Sequence, residues 1–309
     1  ISGLAIISSA ALLAGCAGGT TEPTDPVETS FLACGVSDEG SWSDRSFNQA
    51  AYEGLEKAKA EIAGVDIKGF ESHGPSDFGP NLDQAVADGC DVIFAVGFNF
   101  SDGSLSNAVT EHADSHFVWI DGWNEGWDNL KPISYKMAES SYLSGYLAAA
   151  YSKTGVVATY GGMDIPAVTD FMLGFENGAH QYGIDSGKSI TVLPWQFVGD
   201  FGNTQVAKSI SDGFIADNAD VIFPVAGSLF TATYESIKES GKDVVFMGVD
   251  KDVSLTSPEY ADLTLTSVEK RMTQAVFDVV KDLSSGGAFT TTDYVGTLAN
   301  DGTGLSDFY

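Results

Sequence analysis

The sequence predicts an α/β protein of two doubly wound, parallel-sheet lobes joined by a multi-strand hinge. Three observations predict it. From Phe31 onward, short apolar runs alternate with amphipathic stretches of helical period, the pattern of βαβ units on a parallel sheet. Near residues 133–138 the extended stretch ISYKMA and a following helix rich in small residues and Tyr interrupt the alternation, which then restarts. The runs DVIFAVG (91–97) and DVIFPVAG (220–227) are near-copies, as expected of equivalent strands in two similar lobes.

The first strand is read at 31–36, a short run of small and apolar residues. Phe47, Ala51, Leu55, Ala58 and Ile62 then recur at spacings of three and four, one face of a helix. Asp44 or Ser46 can cap that helix, and Ser46 with Gln49 fits a capping box. Further strands are expected at 65–71, 91–96 and 116–121, with helices near 78–88 and 105–113 between them. After the interruption, strands are expected at 156–160, 190–197, 220–226 and 244–250. Helices at 168–182, 204–217 and 229–240 separate them. A strand at 263–268 leads back towards the first lobe, followed by a helix at 272–283. The expected division is 31–135 plus 268–290 for the first lobe and 136–267 plus 291–309 for the second.

Composition narrows the function. The 43 acidic residues against 15 basic give a net charge of −28, and such a field repels phosphate backbones. Nucleic acid is therefore excluded as a partner. Residues 1–16, ISGLAIISSAALLAGC, are too short an apolar run to span a bilayer and have the character of an export signal that begins inside its apolar region. Leu13-Ala14-Gly15-Cys16 fits a lipobox, which makes Cys16 the lipidated residue. Residues 17–30 are Gly, Thr, Pro and acid, with little to bury, and are expected to form a tether. Cys34, in the first strand, and Cys90, before the third, pair only if those strands place them side by side. Two buried free thiols are the expectation.

Candidate site residues gather where strands end, as open α/β sheets require. Asp38 follows the first strand, Phe98 and Asn99 the third, and Asp121 the fourth. In the second half Phe223, Gly227 and Asp250 lie within or after their strands, and Lys270 follows the returning strand. No GxSxG, HExxH, CxxC or P-loop occurs, and the four His are scattered, so neither catalytic chemistry nor a metal or cofactor is expected.

The segment Asp44-Arg45-Ser46-Phe47-Asn48-Gln49 resembles the D-K-S-F-N-Q signature of the basic membrane protein family, purine nucleoside receptor A-like substrate-binding lipoproteins of ABC importers. HFVWIDG, VIFPVAG, MGVDKD and TSVEK resemble further family segments, in the family's order, over residues 30–305. The resemblance implies a type I periplasmic-binding-protein fold with a nucleoside held between lobes that close about a hinge. It implies that Asp38, Asn48 and Asp121 face the base and that Phe47 stacks on it, with Phe223 or Phe201 opposite. It implies that Asp250 and Lys270 hold the ribose near Gly227. The family's Gly-Gly-Thr-Gly after the Ala is replaced here by Gly227-Ser228-Leu229-Phe230, and the family's C-terminal helix is missing after Phe308-Tyr309, as in a truncated chain. Implied partners are the permease and ATPase of an importer and, through Cys16, the extracytoplasmic face of the cell membrane. The chain is expected to act as a monomer. A receptor for a sugar or another small polar ligand, and an enzyme acting on nucleosides, are the alternatives.

Overall fold

The computed structural model describes residues 30–308. Cys16 and residues 17–29 of the expected tether lie outside them. The chain opens with β1 (Phe31–Ser37), α1 (Phe47–Glu61), β2 (Val65–Phe70), α2 (Pro75–Ala87) and β3 (Val92–Val96). Next come α3 (Ser104–Glu111), β4 (Phe117–Ile120), β5 (Leu130–Tyr135) and α4 (Met137–Tyr151). The second series is β6 (Val156–Gly161), α5 (Pro166–Ser186), β7 (Thr191–Val192), β8 (Gln196–Phe197), α6 (Thr204–Ala216) and β9 (Val221–Val225). It continues with α7 (Phe230–Ser240), β10 (Val245–Asp250), α8 (Val253–Thr256), β11 (Thr264–Lys270), α9 (Met272–Ser284), β12 (Tyr294–Gly296) and β13 (Thr303–Leu305).

Two sheets result. The first runs β12-β5-β4-β3-β1-β2 and is parallel throughout. The second runs β13-β11-β10-β9-β6-β7, with β8 also on β6; only β13 is antiparallel. The near-copies are β3 and β9, and each is the fourth strand in these orders, beside the opening strand. Both strands are buried along their whole length because helices cover both faces. In β3, Phe94 and Val96 face the α1/α9 side while Ile93 and Ala95 face α2 and α3. In the second sheet α4 and α5 cover one face and α6 and α7 the other. Pro224 is tolerated in β9 because the pairing with β10 covers only Val221 and Ile222.

The helix α4 explains its own composition. A Cβ on Gly145 would lie 1.8 Å from the Phe175 carbonyl of α5, so the small residues let the two backbones pack closely.

Several expectations change. The strand expected at 190–197 is split into β7 and β8 around Pro194, which has no N–H for the ladder. Residues 268–270 remain in the second sheet as the end of β11, and 294–296 return to the first sheet as β12 on β5. The chain therefore crosses between lobes at Lys136, at Arg271 and between Thr297 and Gly302. The crossings are tied together: Lys136 N–H donates to Gly296 O (2.8 Å) and Arg271 N–H to Gly302 O (3.0 Å).

Cys34 and Cys90 form a disulfide, not two free thiols. β1 and β3 are neighbouring strands, and Cys90, in the turn that leads into β3, lies in the same buried cluster as Cys34 on the α2 side of the sheet, with Cα atoms 5.9 Å apart. The bridge spans 56 residues, and a loop of that size stabilises by about 2–4 kcal/mol. Replacing both cysteines with Ser is expected to lower the denaturation midpoint accordingly, and reductant to do the same to the wild type. Equal midpoints with and without reductant would contradict the bridge.

Candidate functional site

In each sheet the chain winds outward in two directions from its opening strand, so a crevice opens between β1 and β3 and another between β6 and β9. The two crevices face one cavity of about 330 Å³. The first lobe contributes the β1–α1 loop (Asp38 to Ser41 and Asp44), the start of α1 (Phe47, Asn48), Phe98, Asn99 and Asp121. The second contributes the start of α5, Phe201, the end of β9 with Gly227 and Ser228, Asp250 and Lys270.

The β1–α1 loop is organised by Asp44. Its carboxylate accepts from the backbone N–H groups of Ser46 (2.8 Å), Asn48 (2.9 Å) and Gln49 (3.1 Å) and so caps α1. Gln49 closes the box by accepting from Arg45 N–H. Ser46 occupies the cap position but makes no cap bond; its hydroxyl donates instead across the cleft to Asp250 Oδ2 (2.7 Å). Asp44 also sets the Asn48 amide. Asn48 Nδ2 donates to Asp44 (3.2 Å) and Asp38 (3.3 Å), so its nitrogen is turned towards the two acids. Asn48 Oδ1 is left buried at the cavity without a partner.

On the opposite side Lys270 is the central charge. Its Nζ pairs with Asp121 Oδ2 at 2.6 Å, joining the end of β11 to the end of β4 across the lobes. Three rings surround the ammonium: Phe47 and Phe171 at 5.2 Å and Tyr135 at 5.7 Å. Asp121 and Asp250 end equivalent strands and share a left-handed backbone (φ 60° and 65°). That conformation is uncommon outside Gly, is best tolerated by Asp and Asn, and collects at ligand sites. Around the mouth, Arg45 pairs with Glu259 (2.7 Å) and Lys251 with Glu53, again between lobes.

Phe47 and Phe201 stand on the cavity wall, and Phe201 lies against Gly162, where a Cβ would come within 2.4 Å of its ring. Phe223, expected to stack on a ligand, is a core residue. It is fully buried in the middle of β9 and packs on Phe175 (5.5 Å) and Phe171 (6.3 Å). Val225, on the same face but two residues nearer the carboxyl edge, lines the cavity instead. The aromatic that sequence reasoning missed is Phe171, from α5. Its signal was available: Pro166 begins a helix one short loop after the end of β6, so the first turns stand at the cleft. Trp42, in the same loop as Asp38 and Asp44, stacks on Tyr52 (4.8 Å) and does not line the cavity. The remaining expected residues, Asp38, Asn48, Asp121, Gly227, Asp250 and Lys270, line the one cavity.

A family model described as "ABC transporter substrate-binding protein PnrA-like" matches residues 31–295. The chain belongs to this family, Bmp. An uncharacterized lipoprotein of Pyrococcus abyssi is 31% identical over 93% of this chain and 70% of its own length. The ABC transporter nucleoside-binding protein BmpA of Lactococcus lactis subsp. cremoris is 31% identical over 80% and 71%. Basic membrane protein D of Borreliella burgdorferi is 29% identical over 86% and 76%. Among solved structures, an ABC transporter solute-binding protein from Aeropyrum pernix K1 superposes with a TM-score of 0.81, at 25% identity over 90% of this chain and 76% of that one. The family is one of transporter substrate-binding proteins rather than of enzymes, and the fold is the periplasmic-binding-protein type. No described helix is long and apolar enough to cross a membrane.

In this Bmp-family cavity the carboxylates are poorly solvated. Burial is the main cause that pushes Asp38 from 3.8 to about 7; its bond from Asn48 opposes this, and Asp44, Glu39 and Asp121 add to it. Burial likewise pushes Asp250 up to about 6, against the Lys270 charge and the Ser46 hydroxyl. Asp44 is raised for the same reason. A folded-state value above the unfolded one favours folding while the group is protonated, and that advantage is lost as pH rises through about 7. Asp38→Asn is therefore expected to raise the melting temperature of the ligand-free protein at pH 8 by several degrees and to have little effect at pH 4.5. A melting temperature lowered by this substitution at pH 8 would show that ionised Asp38 stabilises the fold.

Proposed function

We propose that the protein is the extracytoplasmic, lipid-anchored receptor of an ABC importer and that it binds a purine nucleoside between its lobes. The observation that carries the ligand reading is Asn48 Oδ1, a buried acceptor without a partner, beside the Asp38 carboxylate. Two acceptors side by side call for a ligand edge that presents N–H donors, since an unpaired buried acceptor costs about 1–3 kcal/mol. The N1–H edge of a 6-oxopurine offers such a donor, and guanine adds a second. Phe47 from one lobe and Phe201 from the other supply faces for a planar base. Asp250 can accept from two vicinal ribose hydroxyls, and Lys270 can donate beside it. A cavity of about 330 Å³ is at the small end of the range for small-molecule pockets, about 300–1,000 Å³. A nucleoside reading also agrees with the name of the Lactococcus relative.

The proposed location has its own support. Cys16 closes a lipobox in the sequence, relatives carry lipoprotein names, and the Cys34–Cys90 bridge suits an oxidising compartment. The importer's permease and ATPase are the proposed partners, and the chain is proposed to deliver its ligand as a monomer. The rim pairs between the lobes are already made, as in a closed form that would bury the ligand, and opening about the three crossings would part them.

Calorimetry at pH 8 is expected to rank guanosine and inosine above adenosine, and all three above ribose or free hypoxanthine. Phe47→Ala should weaken inosine by about 1–3 kcal/mol, the scale of one stacking contact. As pH falls through about 7, Asp38 gains a proton and becomes a donor, so inosine should weaken while adenosine gains. Preference for ribose over every nucleoside would support a sugar receptor. Release of free base from inosine would support an enzyme.

A further inference from the structure

A second, larger chamber of about 530 Å³ lies on the far side of the Lys270–Asp121 pair. It shares Phe98, Asp121, Ala167 and Lys270 with the first cavity, so the ion pair is a partition between two connected spaces. Its walls differ in character. Trp123, Trp195, Tyr135, Met137 and Leu173 make it largely aromatic and aliphatic. Trp123 is 42% and Leu173 48% exposed, a large apolar outlay for a surface with no covering element. Its walls also hold two buried polar groups without partners, the Tyr135 hydroxyl and the Trp195 indole N–H. Among the described residues that line it, Lys270 is the one cation and is already paired with Asp121, while Asp170 adds a further carboxylate. These walls repel an anion and favour an uncharged apolar group.

We infer that this chamber is a second compartment of the binding site, and that it takes an uncharged apolar substituent at the 5′ position of the nucleoside. The inference rests on the nucleoside reading above. Under that reading Lys270 lies against the ribose, and C5′ is the one ribose carbon that stands outside the furanose ring. A substituent there passes beside Lys270 and Asp121 into the chamber. An ether or thioether atom at its root offers an acceptor for the unpartnered donors. A 5′-phosphate would instead meet Asp121 and Asp170 with no unpaired cation to neutralise it. The ligand class is thus the 5′-alkyl or 5′-aryl ether and thioether nucleosides, with nucleotides rejected.

Calorimetry with inosine, 5′-S-benzyl-5′-thioinosine and inosine 5′-monophosphate tests this on the wild type and on Leu173→Trp, which fills the chamber from an exposed helix position. The thioether is expected to bind the wild type within threefold of inosine or more tightly, and the monophosphate at least 30-fold more weakly. In Leu173→Trp the thioether should lose at least tenfold while inosine stays within threefold. A thioether at least 100-fold weaker than inosine in the wild type, a substitution that weakens both equally, or a monophosphate that binds as well as inosine would overturn the inference. If inosine itself does not bind, the nucleoside reading fails and the chamber is judged alone. Fluorine NMR of 5-fluorotryptophan-labelled protein titrated with benzyl methyl sulfide should then move the Trp123 and Trp195 resonances in the wild type and not in Leu173→Trp. Unmoved resonances would overturn the chamber as a binding compartment.

Discussion

The structure depends on one buried ion pair between two lobes. Lys270 and Asp121 are 2.6 Å apart, with side chains only 2% and 9% exposed. Removing one member of such a pair leaves a buried charge without compensation and costs about 3–5 kcal/mol. The pair therefore constrains what surrounds it. The end of β4 must meet the end of β11, so the crossings between sheets must hold both strands in register. The phenyl rings of Phe47 and Phe171 and the phenol of Tyr135 then close around the ammonium. Asp250, the third charge of the cluster, is drawn towards ionisation by Lys270 and away from it by burial. A cleft that already holds charges short of solvent is arranged to receive polar groups from a ligand.

The two lobes solve the same problem twice, and the cavity lies where the solutions meet. β3 and β9 carry nearly the same sequence and hold the same place in their sheets. β4 and β10 each deliver an aspartate in a left-handed conformation. The difference is in the division of labour. The first lobe supplies hydrogen-bonding groups with fixed orientation, because Asp44 pins both the helix start and the Asn48 amide. The second supplies the cation and the greater part of the apolar wall. Ser46 links the two sides by donating to Asp250, which ties the first helix to the second lobe's acid.

Much of this was legible in the sequence for physical reasons. Strands buried on both faces read as unbroken apolar runs, and a chain that alternates them with amphipathic helices has little choice of architecture. Acids placed directly after such runs, as Asp121 and Asp250 are, stand at the carboxyl edge where sheets bind ligands. What stayed hidden depends on contacts between distant segments. The spacing of Cys34 and Cys90 says nothing of strand order, yet β1 beside β3 makes their bridge possible. Phe223 and Phe171 are both plausible cavity aromatics by composition. Only the depth of each along its element separates the core residue from the wall residue. The return of residues 294–296 to the first sheet rests on three residues of pairing with β5, too short for a periodic signal.

The proposal that the cleft is built for a nucleoside can be tested on what the protein itself carries. The most direct measurement is mass spectrometry of small molecules released by denaturing protein that was purified natively, without refolding. A purine nucleoside is expected, recovered from the wild type and depleted in Phe47→Ala. Recovery of a sugar or another polar compound without a base, at the same level from both proteins, would contradict it.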